Sequence, residues 1–239
     1  MFYFLFPAIL TYNVILIAAA VIPAVFLMLK AYRSDRIERE SPQLLWNLVV
    51  AGILSSLIAL LAERVLSTLL GLVAQQGSTL YNVLLYFGVV AFSEEGAKYF
   101  MLKRRTWRSS EFNCLYDGIV YALFVSLGFA LWENLSYVMT NGFATALVRA
   151  VTAIPGHACF GVFMGFFYGI ARSFENSGKL KEAKLSRALT VVVPALLHGA
   201  YDYIATSSES AWFFVAFVAV LFIVSYRVVG KAAKADRYI

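Results

Sequence analysis

Apolar residues run nearly unbroken through seven stretches of this chain, at roughly 8–29, 44–74, 80–102, 115–139, 145–171, 188–206 and 211–227. These stretches show neither the period-two alternation of a half-buried strand nor the one-sided stripe of a surface helix. A helix that is apolar all round belongs in a membrane or a large core, and at ~1.5 Å per residue most of these can cross ~30 Å of hydrocarbon. The pattern predicts an all-α, polytopic membrane helix bundle of about seven transmembrane helices. The first stretch lacks the basic start and small-residue cleavage pattern of a secretory signal, so it reads as a span. The longest polar stretch, 171–187, reads as a charged linker or a short interfacial helix. One membrane-embedded domain over 1–239 is expected, with its functional core at about 80–205.

Composition agrees. Hydrophobic residues make up 61% of the 239 residues and charged residues 14%, with a mean hydropathy of +0.75, which excludes a soluble domain. The formal charge of +6 is distributed by topology. Lys30, Arg33, Arg36 and Arg39 follow the first span, Lys103, Arg104, Arg105 and Arg108 the third, Arg172, Lys179, Lys181, Lys184 and Arg187 the fifth, and Arg227, Lys231, Lys234 and Arg237 the seventh. The loops 75–79, 140–143 and 207–210 carry no Lys or Arg. The positive-inside rule then places the N-terminus outside and the C-terminus in the cytoplasm of a multi-pass protein in a cell membrane. Basic clusters in these positions face the lipid bilayer, and nothing calls for nucleic acid. Cys114 and Cys159 lie within or beside spans and read as packing residues, not a disulfide.

Against that background the intramembrane polar residues stand out. Glu94 and Glu95 lie inside the third stretch, and Glu133, His157, His198 and Asp202 fall at membrane depth in the following three; both histidines of the chain are among them. A charge at the bilayer centre costs at least ~2.5–3.5 kcal/mol, so such residues pair, bind ions or react. Four-residue spacing puts Glu94 with Lys98, Phe129 with Glu133, and His198 with Asp202 on shared helix faces, with Asn134 beside Glu133 as a hydrogen-bond partner. His157, Gly161, Gly165 and Gly169 form a stripe that lets a neighbouring helix come close. Pro155 and Pro194 sit near the two histidines, where loss of a backbone bond can open a helix. Arg149 reads as snorkelling or pairing with Asp117 or Glu133, and Glu63, Arg64 and Asp117 as structural polar residues. Gathering Glu94, Glu95, Glu133, His157 and His198 in one bundle is a costly way merely to join helices, so a functional centre is expected, opening toward the outer half of the bilayer.

The inventory suits hydrolysis. A carboxylate in a low-dielectric site can act as base and then as acid, and Glu94 is assigned that work, with Glu95 as its partner held by Lys98. The spacing leaves open which of the two faces water. His157 and His198 with a carboxylate, Glu133, can form the three-ligand, one-open-position site of catalytic zinc. A metal-free alternative has Glu94 and Glu133 activate water while His198 and Asp202 stabilise the oxyanion. A proton- or cation-coupled transporter would also use intramembrane Glu and His residues, but no inverted repeat is visible. A non-catalytic scaffold binding a partner helix through the glycine stripe is the third reading.

The strings EEGAK (94–98), DGIVYALFVSLGFALWEN (117–134), PGHACFGVFMG (155–165) and LLHGAYD (196–202) resemble the PrsW family of membrane-embedded bacterial proteases. That family's pattern is Glu-Glu-x-x-Lys, Phe-x-x-x-Glu, a glycine-trailed His segment and His-x-x-x-Asp. The resemblance implies site-1 cleavage of a single-span membrane protein, an anti-sigma factor, at its extracytoplasmic side. More distantly the chain is similar to the CAAX prenyl protease and bacteriocin-processing group, in which Arg, His and Asn stand where Lys98, Glu133 and Asp202 stand here.

Overall fold

The computed structural model describes residues 2–35, 37–207 and 211–239, with side chains from residue 13 onward. The helices are α1 (Phe2–Ser34), α2 (Pro42–Val73), α3 (Thr79–Val83), α4 (Phe92–Thr106), α5 (Asp117–Asn141), α6 (Phe143–Val151), α7 (Ala153–Asn176), α8 (Leu180–Thr206) and α9 (Ala211–Lys234). A π-helical segment, Leu84–Ala91, joins α3 to α4. The backbone stays helical through both junctions, at Val83 and Phe92, so residues 79–106 form one composite helix. Among the described residues, six helices are long and apolar enough to cross a membrane, with α6 and α7 counted together over Phe143–Asn176. The composite helix, which carries the Glu-Glu pair, is the seventh member of the bundle. The fold is all-α, as the hydropathy pattern predicts.

Local chemistry sets the helix ends. Ser41 caps α2 by accepting from the Leu44 amide at 3.2 Å, with Pro42 at the first position, where no amide hydrogen is needed. Ser78 caps α3 in the same way, accepting from Tyr81 N at 3.1 Å. Gly142 stops α5 with φ of 82°, a conformation glycine adopts without a Cβ clash. The structure departs from the hydropathy pattern in three places. Polar stretch 171–187 is neither linker nor separate helix: α7 runs to Asn176 and α8 begins at Leu180, because the charged side chains at these ends reach the interface while the backbone keeps its helical bonds. The fifth span breaks at Thr152 (φ −121°, ψ −69°), ahead of Pro155, which lies in the first turn of α7 where its missing amide costs nothing. Pro194 is accommodated inside α8, which continues past it to Thr206.

Helix α5 is the hub: every residue from Asp117 to Ala130 is buried. Its approach to α7 depends on the glycine stripe. A Cβ on Gly161 would lie 2.9 Å from Ser126 Cβ, and one on Gly118 would lie 2.7 Å from Gly165 O. The stripe thus presses the helix bearing His157 against the helix bearing Glu133. On the outside of the bundle, Leu72 (78% exposed), Val73 (81%) and Trp212 (81%) face outward, an apolar surface whose solvent is lipid.

The end of the bundle bearing Arg39 and Arg104 is tied by polar contacts. Asp117 accepts from the amides of Asn113 (3.0 Å) and Cys114 (2.6 Å), a structural role as expected from the sequence. The last residues return to the same turn, with Leu115 N donating to Arg237 O at 3.0 Å and Ile239 N to Asn113 O at 2.7 Å. Both cysteines are free and buried.

Candidate active site

The predicted residues converge. Glu94, Glu95 and Lys98 lie on the first two turns of α4, directly after the π segment. A π turn inserts an extra residue per turn and rotates the helix beyond it, and such turns recur at functional sites. Here all three side chains are turned inward: Glu95 and Lys98 are fully buried and Glu94 is 6% exposed. Lys98 Nζ donates to Glu95 Oε1 at 2.7 Å and to Glu94 Oε2 at 3.3 Å, lies 3.2 Å from His157 Nδ1, and sits 4.0 Å from the centre of the Phe129 ring. Burying this ammonium is tolerable only because two carboxylates and an aromatic face surround it.

The histidines are held in parallel fashion. His198 Nδ1 points inward, 2.9 Å from Glu95 Oε1, and its Nε2 lies 3.4 Å from Asp202 Oδ2 on the next turn of α8. His157 turns Nδ1 to Lys98 and sets Nε2 2.7 Å from Glu133 Oε2. The same Glu133 oxygen lies 3.0 Å from Arg149 Nη2, and Arg149 Nε donates to Asn134 Oδ1 at 2.9 Å. Asn134 in turn donates to Ala20 O at 3.0 Å, so a polar chain runs from α1 through α5 and α6 to the histidine. Of its two candidate partners, Arg149 therefore takes Glu133 and not Asp117.

One cavity of about 560 Å³ contains the centre. Glu94 lines it and Glu95 does not, so Glu94 is the carboxylate that faces the cavity and Glu95 the one that anchors Lys98 and His198. Asp202, Glu133, His157 and His198 also line it, and Ser136, Arg149 and Thr206 extend it toward the α5–α6 turn and the end of α8. Those connections are the ones without basic residues.

Three residues in this site had no sequence signal strong enough to single them out for function. Glu63 of α2, read as structural, lines the cavity. Phe160 stacks on His198 with ring centres 4.7 Å apart, and only its three-residue offset from His157 hints at this. Ser126 donates to His157 O at 2.7 Å, bracing the first turn of α7.

The donors Glu94, Glu95, His157 and His198 lie with one ligand atom each within 4.8 Å of the others. Two imidazoles with inward Nδ1 atoms, each backed at Nε2 by a carboxylate, match the way metal-ligating histidines are held. Glu95 Oε2 is buried with no hydrogen-bond partner among the described residues. The donor set fits zinc. This donor cluster contains His157 and His198 of the expected trio, while Glu133 lies outside it, at His157 Nε2. The Lys98 ammonium stands among the same donors.

A family model described as PrsW family intramembrane metalloprotease matches residues 40–229. The chain belongs to the PrsW family. Curated proteins named Protease PrsW include those of Bacillus subtilis (strain 168), 44% identical over 116 residues, Geobacillus kaustophilus, 33% over 194, and Shouchella clausii, 30% over 228. The matched segments cover 48%, 81% and 93% of this chain and 51%, 81% and 98% of those proteins, so the Bacillus subtilis match spans about half of that relative's length. No solved structure matches. With its long apolar helices, the protein is a multi-pass bacterial membrane protein of an intramembrane protease family.

Proposed function

We propose that the protein is an endopeptidase that cleaves a single-span membrane substrate, an anti-sigma factor, near the outer face of the membrane, with its N-terminus outside and its C-terminus in the cytoplasm. The observation that carries this reading is the position of Glu94: a carboxylate on the wall of a 560 Å³ cavity, with His198 on the same wall and Glu95 and Lys98 behind them. A carboxylate so placed takes a proton from a water in the cavity and returns it to the leaving amine. Lys98 keeps Glu95 in place, Glu95 orients His198 through Nδ1, and His198 Nε2 exchanges its long 3.4 Å contact with Asp202 for donation to the oxyanion. Glu133, steadied by Arg149, fixes the tautomer and orientation of His157.

Zinc held by His157, His198 and a glutamate would supply a water of lowered pKa and a polarised carbonyl. The inward imidazoles support this finer reading. A metal-free reading is favoured by a different observation, the Lys98 ammonium at 2.7–3.3 Å from three of the four donors, where it supplies the positive charge itself.

The deciding experiment incubates purified protein with a single-span substrate, with and without a chelator, and measures bound metal. Cleavage that is lost in Glu94→Gln and His198→Ala, in protein that still accumulates, is the expected result. Stoichiometric zinc and rescue of chelated enzyme by added zinc select the metal reading; indifference to chelator selects the other. No cleavage by the intact chain under any condition, with proton-linked solute flux instead, would replace the protease reading with the transporter one.

A further inference from the structure

A second, larger cavity lies on the opposite side of α7 from the active site, bounded by α1, α7 and α9. Its volume is about 890 Å³, within the ~300–1,000 Å³ usual for ligand sites. Leu27 and Ala31 of α1, Ala158 and Val162 of α7, and Phe222 and Val229 of α9 make its walls apolar. Its rim is different. Lys30 and Arg33 from the end of α1 and Arg227, Lys231 and Lys234 from the end of α9 all line it. All five are exposed, and among the described residues none makes an ion pair with a carboxylate. Residues 227, 230, 231 and 234 share one helix face, as do 27, 30, 31 and 34, so the two cationic faces oppose each other across the groove. Lys30 Nζ sits 5.2 Å from the Tyr226 ring centre, bridging the two helices at that level. Below the rim, Ser225 also lines the groove, 4% exposed, beside the buried Cys159 thiol.

We propose that this groove binds an anionic phospholipid, with the phosphate among the five cationic side chains and an acyl chain along the apolar walls. Charge complementarity selects this occupant. A zwitterionic lipid offers the rim no net charge, and an apolar partner helix would leave five cations without counter-charge. Basic pockets between transmembrane helices at this membrane level are a recurrent way to hold such headgroups. The buried Ser225 hydroxyl provides a donor for a glycerol or ester oxygen just beneath the phosphate. The inference is independent of the protease chemistry.

The test uses full-length protein stripped of lipid in detergent and titrated with phosphatidylglycerol, phosphatidylcholine or glycerol phosphate, bound lipid being counted by native mass spectrometry. Phosphatidylglycerol should be retained about tenfold better than phosphatidylcholine, and glycerol phosphate should not displace it at equal concentration. The preference should vanish in Lys30→Gln/Arg227→Gln/Lys231→Gln. It should survive in Lys103→Gln/Arg104→Gln/Arg105→Gln, which removes equal charge from another cluster. Gly230→Phe tests the groove with charge unchanged: Gly230 lines the groove and a Cβ there meets no atom within 4 Å, so the protein should fold and lose the lipid. Equal retention of the two lipids by the intact protein, equal loss in the two triple variants, or full displacement by glycerol phosphate overturns the proposal. So does a Gly230→Phe variant that keeps its lipid while converting a dimer to a monomer, which would make the groove a seat for a second copy.

Discussion

Glu133 Oε2 lies 2.7 Å from His157 Nε2, joining α5 to the start of α7 on the far side of the imidazole from Lys98. A carboxylate in that position orients a histidine without touching what the histidine binds. Removing such a partner typically costs ~10–100-fold in activity or metal affinity. Glu133→Gln should therefore reduce cleavage by ~10–100-fold while the protein accumulates normally, and Arg149→Gln should reduce it less. Wild-type turnover in Glu133→Gln would make the contact mere packing.

Lys98 answers for the stability of the centre. Removing one member of a buried ion pair leaves an uncompensated charge and costs ~3–5 kcal/mol, so Lys98→Met should unfold at markedly lower temperature or denaturant in detergent. Lys98→Arg should not restore it, because Phe129 already stands 4.0 Å from the ammonium and leaves no room for a guanidinium. If zinc occupies the cluster, Lys98→Met should bind it more tightly than the intact protein does. Unchanged zinc affinity would dissociate the two cations.

The α5–α7 contact predicts an order of severity. A Cβ on Gly165 would press on the Gly118 carbonyl and Ile119 Cα more closely than one on Gly161 would press on Ser126 Cβ, at 2.9 Å, and the Ala122 carbonyl, at 3.2 Å. Overpacking costs ~1–3 kcal/mol, and the closer overlap costs more. Gly165→Ala should lower stability more than Gly161→Ala, measured by thermal unfolding in micelles. Gly161→Leu should cost cleavage as well, since it displaces His157.

Outside the spans, Glu40 is held by a 2.6 Å hydrogen bond from the Tyr121 hydroxyl. Burial, opposed by that hydrogen bond, together with the neighbouring Asp117 and Glu111 carboxylates, pushes its pKa up to about 9. A folded-state value above the unfolded one means the native protein holds the proton more tightly. The associated stability is complete below the unfolded value of 4.5 and is lost as pH rises toward about 9. Unfolding temperature should fall between pH 6 and pH 9.5, and Glu40→Gln, which cannot ionise, should flatten that decline. An unchanged slope in the variant would assign it to other groups.

Orientation can be read directly. Reporter fusions after residues 38, 105 or 180 should report cytoplasm, and insertions near 77, 142 or 208 should report the outside, following the one-sided Lys and Arg distribution. An outside signal at 180 would invert the cavity with respect to the membrane.

Much of this protein was legible in one dimension, because a lipid solvent imposes a simple rule: long apolar helices, with any ionisable residue among them needing a reason. That rule alone marks the bundle, and Glu94, Glu95, Glu133, His157, His198 and Asp202 as its centre, and four-residue spacing pairs Glu94 with Lys98 and His198 with Asp202. Tertiary structure decided the rest. A π turn cannot be seen in LLYFGVVA, yet it sets the rotation by which Glu94 faces the cavity and Glu95 faces Lys98. Which nitrogen of each histidine points inward, the placement of Glu133 behind His157, and the entry of Glu63 and Phe160 into the site all depend on contacts between helices far apart in the chain. Spacing within one helix carries no information about its rotation against another; close packing through the glycine stripe supplies it.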